Sequence, residues 1–304
     1  MKHSNWSSAN ITDQKGQTII ITGATSGLGL EAATVLSKKG ATVIMAVRNL
    51  EKGKNVITEI KNKNPASKLD LMRLDLADLN SVHEFARTFN ASYSALNVLI
   101  NNAGIMYPLK REETKQKFEI QFGTNHLGHF ALTGLLLDVL KKTPLSRVVT
   151  QSSIMHKFKA DIHFDDLNWE KSYNKAKAYS QSKLANLLFT YELDREFKEN
   201  TINAIATAAH PGYTDTNLQS NSGFFMGIMN KLLAQKVEMG TLPILRAATE
   251  ADLIGAEYFG PTKMGELRGF PEKVTSSNKS YDLQLAKRLW EVSEKLTGVH
   301  YNFN

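Results

Sequence analysis

The sequence predicts a single α/β domain built on a doubly wound parallel sheet, and two observations carry that prediction. Short apolar runs rich in Val and Ile alternate with helical patterns along the first two thirds of the chain. The first of these runs leads through a glycine-rich turn straight into a helix. A run that is apolar at every position suits a strand buried on both faces. Strands that alternate with helices imply right-handed βαβ units.

Taken in order, Thr18 to Thr22 reads TIIIT, the first strand. Glycines follow at 23, 27 and 29, and a helical pattern runs from Leu30 to Lys39, where Gly40 ends it. Ala41–Val47 is the second strand and Glu51–Asn62 the next helix. A strand at Leu69–Leu74, a helix at Leu79–Phe89 and a strand at Val98–Asn101 continue the alternation. A long helix over Lys117–Lys141 precedes a strand at Arg147–Gln151. A helix over Ala178–Asn200 precedes a strand at Ile202–Ala208. No Pro/Gly/Ser linker divides the 304 residues and no internal repeat is present, so 1–304 is expected to be one domain, with 1–16 as a polar tail. After Gly212 comes a polar stretch, Gln219–Gly223, then Phe225, Ile228, Met229, Leu232 and Leu233 at helical spacing. This marks residues 213–240 as a candidate substrate lid, a hinge followed by an amphipathic helix; the other reading is a helix that simply packs on the body.

Composition narrows the function classes. The chain is 42% hydrophobic and 22% charged, ordinary for a soluble globular protein. It has no cysteine, which excludes disulfides, thiolate metal sites and a cysteine nucleophile. The net charge of +7 is spread along the chain and forms no block, so no nucleic-acid partner is expected. The longest apolar stretch, Leu127–Leu140, is interrupted by His129 and Asp138 and is too short to span a membrane. Met1–Gly16 lacks the apolar segment of a signal peptide, so a cytoplasmic location is expected. His126, His129, His156 and His210 have no carboxylate or thiolate partners at ligand spacing, so no metal is expected. No G-x-S-x-G elbow surrounds Ser153, which argues against acyl transfer.

The glycine turn carries the first chemistry. Thr22-Gly23-Ala24-Thr25-Ser26-Gly27-Leu28-Gly29 lies between a strand and a helix. There the glycines let the backbone approach a pyrophosphate, and the helix N-terminus offers N–H donors and a partial positive charge. This makes the domain Rossmann-type. The second strand ends at Arg48-Asn49, where an NAD site would place an acid on the ribose hydroxyl. An Arg pairs instead with a 2′-phosphate, so NADP(H) is expected over NAD(H).

With these motifs in hand, the chain resembles the short-chain dehydrogenases/reductases of the compact single-domain branch. Asp75-Leu76 resembles the pair that contacts adenine, and Asn101-Asn102-Ala103-Gly104 the NNAG string after the fourth strand. Asn125, Ser153 and Tyr179-Ser180-Gln181-Ser182-Lys183 resemble the catalytic Asn, Ser and YxxxK. Pro211-Gly212 with Thr216 resembles the segment that closes over the nicotinamide. The strings NHLGHF, YSQSKLAN and HPG are most similar to the retinol-dehydrogenase-like and protochlorophyllide-reductase-like group. The resemblance implies cofactor contacts from Gly23, Thr25, Ser26, Gly27, Leu28, Gly29, Arg48, Asn49, Asp75, Leu76, Asn102, Ala103, Gly104, Tyr179, Lys183, Pro211, Gly212 and Thr216. It also implies that Asn125 holds a water linking Lys183 to solvent.

The chemistry fits those residue types. Carbonyl reduction needs a hydride, which a nicotinamide supplies, and a proton. Tyr179 is the candidate acid/base, and a free phenol near pKa 10 is a poor one at neutral pH. Lys183, four residues on, shares its helix face, and an ammonium there favours the phenolate. Ser153 would polarise the carbonyl. Tyr173 and Lys177 have the same spacing, but Tyr173 lies in a polar stretch that reads as loop. The expected activity is therefore hydride transfer between NADP(H) and an alcohol/carbonyl substrate, apolar if the lid reading holds. The alternative is a catalytically silent NADP(H)-binding sensor or scaffold, against which the intact Asn125, Ser153, Tyr179 and Lys183 argue. The helices over 117–141 and 178–200 resemble those that pair in family oligomers, which leaves two readings of Leu127, Phe130, Leu135 and Leu187: a homo-oligomer interface or ordinary core.

Overall fold

Ile19, Ile20 and Ile21 of β1 (Thr18–Thr22) are fully buried, as a strand covered on both faces requires. In the computed structural model, which describes residues 5–214 and 234–304, β1 lies inside a sheet with β2 (Thr42–Val47), β3 (Lys68–Arg73), β4 (Val98–Asn101), β5 (Ser146–Gln151), β6 (Ala204–Ala209), β7 (Tyr258–Lys263) and β8 (Arg268–Lys273). The strand order is β3-β2-β1-β4-β5-β6-β7-β8. All neighbours are parallel except β7 and β8, which are antiparallel. The order reverses between β1 and β4. In such sheets a crevice opens at the carboxyl ends of the two strands flanking the reversal.

Helices cover both faces. Ile19 and Ile21 point to a cluster with α1 (Gly27–Lys38), α2 (Leu50–Lys63) and α8 (Val237–Thr249), through Ala33, Leu36, Val56, Ile60 and Leu245. Ile20 points the other way, to a cluster with α3 (Leu79–Ser92), α5 (Gly128–Leu135), α7 (Lys175–Glu199) and α9 (Leu283–Thr297), through Phe85, Phe130, Leu188 and Leu289. The period of two along one strand thus feeds two separate cores.

Three features depart from the sequence reading. The predicted helix over 117–141 is broken into α4 (Ile120–Phe122), a π-helical stretch Gly123–Leu127, α5 and α6 (Leu137–Lys142). In the π stretch the Gly128 amide reaches back five residues to Gly123 O, and such bulges recur at functional sites. The segment read as a polar tail is anchored: Trp6 and Ile11 are buried in the α8-side core, with the Arg246 guanidinium over the Trp6 ring. Beyond Gly212 the sequence reading placed neither α8, β7, β8 nor α9. Pro243 inside α8, and Gly260, Pro261, Gly269 and Pro271 in the last two strands, interrupt the apolar patterns that would have marked those three elements, whereas α9 carries an amphipathic pattern that the sequence reading left unassigned. Thr216 and the apolar helix expected over 225–233 lie outside the described residues. No helix among the described residues is long and apolar enough to cross a membrane.

Candidate active site

The carboxyl ends of β1, β2, β4, β5 and β6 open into a cavity of about 510 Å³. One end is the glycine turn. Ser26 caps α1 without a side-chain bond to the helix, which leaves the first-turn amides facing the cavity. A Cβ on Gly29 would lie 2.5 Å from Gly23 O and 2.6 Å from Asn102 Nδ2, so only glycine fits there. The two flanking strand ends are stitched together at this point. Thr22 Oγ1 accepts from the Asn102 and Ala103 amides at 2.9 Å each, and Asn102 Nδ2 donates to Thr22 O at 2.8 Å.

Arg48 and Asn49, both exposed, line the cavity where β2 ends. The Asn49 side chain is engaged as the cap of α2, accepting from the Lys52 amide at 2.9 Å. That turn brings Lys52 to the cavity beside Arg48, a residue the sequence reading missed. Its signal was there: Lys52 is four residues after Arg48, in the first turn of a helix whose cap is Asn49. Asp75 and Leu76 line the same end. Asp75 Oδ1 accepts from the Ala77 amide at 3.0 Å.

The other end holds the polar trio. Ser153 follows β5 and lines the cavity, its carbonyl accepting from His156 Nδ1 at 2.6 Å. Tyr179 and Lys183, one turn apart near the start of α7, line it too and are almost fully buried. Lys183 Nζ is 5.6 Å from the centre of the Tyr179 ring and donates to Gln151 O at 3.1 Å. Burial pushes the Tyr179 phenol well above its ordinary value, although the Ser153 hydroxyl works against it. Burial also lowers the Lys183 ammonium to about 8. Desolvation drives both groups toward their neutral forms.

Asn125 sits behind this centre, fully buried in the π stretch, and does not line the cavity. Its Oδ1 accepts from the Ile105 amide at 2.7 Å, and its Nδ2 donates to Ile105 O at 2.9 Å and Ser182 Oγ at 3.0 Å. Its own carbonyl accepts from His129 Nδ1 at 3.0 Å. It fixes the loop after β4, which carries Gly104 and Ile105 into the cavity wall. Tyr173 stays out of the cavity. Its hydroxyl donates to Glu119 Oε1 at 3.3 Å and accepts from Gln121 Nε2 at 3.2 Å, while Lys177 is exposed.

The wall near Tyr179 is apolar and was not read from the sequence. Met106, Tyr107, Met155 and Leu267 form it. The Tyr107 ring meets the Tyr179 ring edge-on at 5.3 Å. Leu267 arrives from the turn between β7 and β8, which no sequence pattern connects to Tyr179. No group of His, Asp and Glu able to hold a metal exists among the described residues.

The cavity residues fit a dinucleotide. The crowded Gly29, the open amides of α1 and the cations at Arg48 and Lys52 match its phosphates. Thr124 Oγ1 and Gln151 Oε1, on two lining residues, have no hydrogen-bond partner among the described residues. Comparisons with known proteins agree. A family model described as short chain dehydrogenase matches residues 17–223. The short-chain dehydrogenase TIC 32 B, chloroplastic, of Brassica napus is 39% identical, over 93% of this chain and 89% of that protein. Retinol dehydrogenase 13 of Homo sapiens is 37% identical, over 93% and 85%. A crystal structure of an uncharacterized protein from Mycobacterium paratuberculosis superposes with a TM-score of 0.82 at 41% identity, over 98% of this chain and 99% of that one.

Proposed function

The chain belongs to the short chain dehydrogenase family, in its retinol-dehydrogenase-like group, and on that premise we propose that it is an NADP(H)-dependent oxidoreductase acting on an apolar alcohol/carbonyl pair. The observation that carries this reading is the convergence of Ser153, Tyr179 and Lys183 on one end of a cavity whose other end is the glycine turn.

Gly23, Thr25, Ser26, Gly27, Leu28 and Gly29 would cradle the pyrophosphate, with Asp75, Leu76, Asn102, Ala103 and Gly104 along the adenosine and ribose side. Arg48 and Lys52 together favour a 2′-phosphate. The nearest acid in sequence, Glu51, pairs away from them with Lys54 at 2.8 Å. The bound nicotinamide would supply or accept the hydride. Ser153 Oγ would donate to the substrate oxygen. The Tyr179 hydroxyl, held protonated by burial, is suited to give its proton to that oxygen during reduction. The Lys183 ammonium, 5.6 Å from the centre of the Tyr179 ring, would stabilise the phenolate left behind. Met106, Tyr107, Met155 and Leu267 line the cavity and would favour an apolar substrate.

The test is NADPH oxidation against a panel of aldehydes and ketones. Tyr179→Phe is expected to lower turnover about 100-fold or more while leaving NADPH affinity nearly unchanged. Tyr173→Phe, its control, is expected to keep turnover. A Tyr179→Phe protein with unchanged kcat would show that the acid/base is elsewhere. A wild-type chain that binds NADPH and reduces no member of the panel would favour the sensor or scaffold instead.

A further inference from the structure

His210, Glu266 and Lys157 take no part in the chemistry above, yet they meet behind the apolar end of the cavity. Met264, Gly265 and Glu266, in the turn between β7 and β8, all have positive φ, of 54°, 66° and 66°. Two residues with side chains thus occupy a backbone region that disfavours them, which only surrounding contacts can maintain. The turn aims the Glu266 carboxylate inward, mostly buried. Its Oε1 lies 2.7 Å from Lys157 Nζ. Its Oε2 lies 3.2 Å from His210 Nε2, a polar contact rather than an aligned hydrogen bond, and among the described residues neither of those two atoms has a better partner.

Each partner belongs to a different wall of the site. Lys157 ends the short helical turn Ile154–Lys157, whose cap is Ser153. His210, fully buried, immediately precedes Pro211-Gly212. Its Nδ1 accepts from the Gly212 amide at 3.3 Å, so the neutral ring carries its proton on Nε2, toward Glu266. A Cβ on Gly260 of β7 would collide with His210 Nε2, so the ring packs directly against the Gly260 backbone. The Tyr213 amide donates to Leu267 O at 2.8 Å, and Leu267 lines the cavity. Burial works to raise the Glu266 carboxyl, but His210 and Lys157 outweigh it and hold it at about 2, so it stays charged.

We propose that Glu266 is a positioning residue for the substrate end. By tying Lys157 to His210, it fixes the spacing between the turn after Ser153 and the Pro211-Gly212 segment, and so selects which carbonyl compounds reach Ser153 and Tyr179. This rests on the oxidoreductase reading above. It also gives the β7–β8 turn a function, as a specificity arm that carries Leu267 into the cavity.

Glu266→Gln keeps the shape and removes the charge. The readout is the ratio of kcat/KM between a bulky apolar ketone and a small one, at saturating NADPH. The expected result is a change of about five-fold or more in that ratio, carried by KM, with NADPH affinity within about two-fold of wild type. Lys157→Met is expected to change the ratio in the same direction, and the double variant to go no further, because both substitutions cut one link. Hydrogen exchange should quicken at the Gly212 and Tyr213 amides and stay unchanged in the glycine turn. An unchanged ratio, whether or not exchange or thermal stability shifts, makes Glu266 merely structural and overturns the proposal. A wild-type chain that reduces no carbonyl would sink the oxidoreductase reading itself, whereas active enzyme with an unaltered ratio sinks only the role of Glu266.

Discussion

Arg48 and Lys52, one helical turn apart, are both exposed and both line the cavity where β2 ends. Asn49, read as a cofactor contact, lines the cavity while its Oδ1 caps α2, and that turn also brings Lys52 to the cavity. Two exposed cations at one rim favour a 2′-phosphate over a bare ribose. Charge-assisted hydrogen bonds are worth about 1.5–3 kcal/mol, so NADPH is expected to bind roughly ten- to a hundredfold more tightly than NADH. Arg48→Glu should erase or invert that preference, and Lys52→Met should reduce it without inverting it. Fluorescence titration with both cofactors checks this; equal affinities in the unmutated protein would refute it. Ser153, Tyr179 and Lys183, named from motifs, line one cavity. Lys183 neighbours Tyr179 as the spacing demanded, but burial, which no spacing reports, sets the direction in which both titrate.

Among the elements, α9 has the largest consequence for the molecule's surface. The helices over 117–141 and 178–200 were expected to offer a pairing face. In the structure α9 packs on that side within the same chain. Trp290 meets Phe130 at 5.2 Å and stacks on Phe189 at 5.7 Å, and the Tyr301 hydroxyl donates to Phe130 O at 2.6 Å. Any pairing of copies through Phe130 and Phe189 would first require α9 to leave. Leu289 of α9 is almost fully buried in this cluster. Leu289→Ala is therefore expected to cost about 2–5 kcal/mol in urea unfolding. A cost below about 1 kcal/mol, within the range of surface substitutions, would mean that α9 is only loosely docked. The π stretch makes the complementary point: apolar periodicity ran straight through 117–141, while the turn that places Asn125 depends on hydrogen bonds to Ile105 and Ser182 from elsewhere in the chain.

At the scale of the whole molecule, buried histidines make stability depend on pH. Burial lowers His126 to about 3 and His129 and His156 to about 4, from an ordinary 6.5. Between those values the unfolded chain binds protons that the native chain does not, so stability falls as pH falls through this window. Above about pH 6.5 these groups are neutral in both states and contribute no slope. The melting temperature is therefore expected to drop steadily from pH 6.5 toward pH 4, with a loss on the order of several kcal/mol at the lower end. Circular dichroism melts across that range check it. A melting temperature at pH 4.5 equal to that at pH 7 would mean that these rings protonate freely in the folded state.

The sequence by itself determined the strands from β1 to β6, the glycine turn, and the presence of Ser153, Tyr179 and Lys183 at one site. It could do so because these features are written in local patterns: apolar runs, glycine spacing and residues one helical turn apart. Only the tertiary structure decided what Asn125 holds, how Trp6 and α9 close the two cores, and which side chains wall the apolar end. Leu267 and Glu266 come from a hairpin without a legible strand pattern, and they reach Ser153 and Pro211-Gly212 through contacts between residues far apart in the chain. Local patterns report which face of an element is apolar. Which other element covers that face is settled by the packing of the whole.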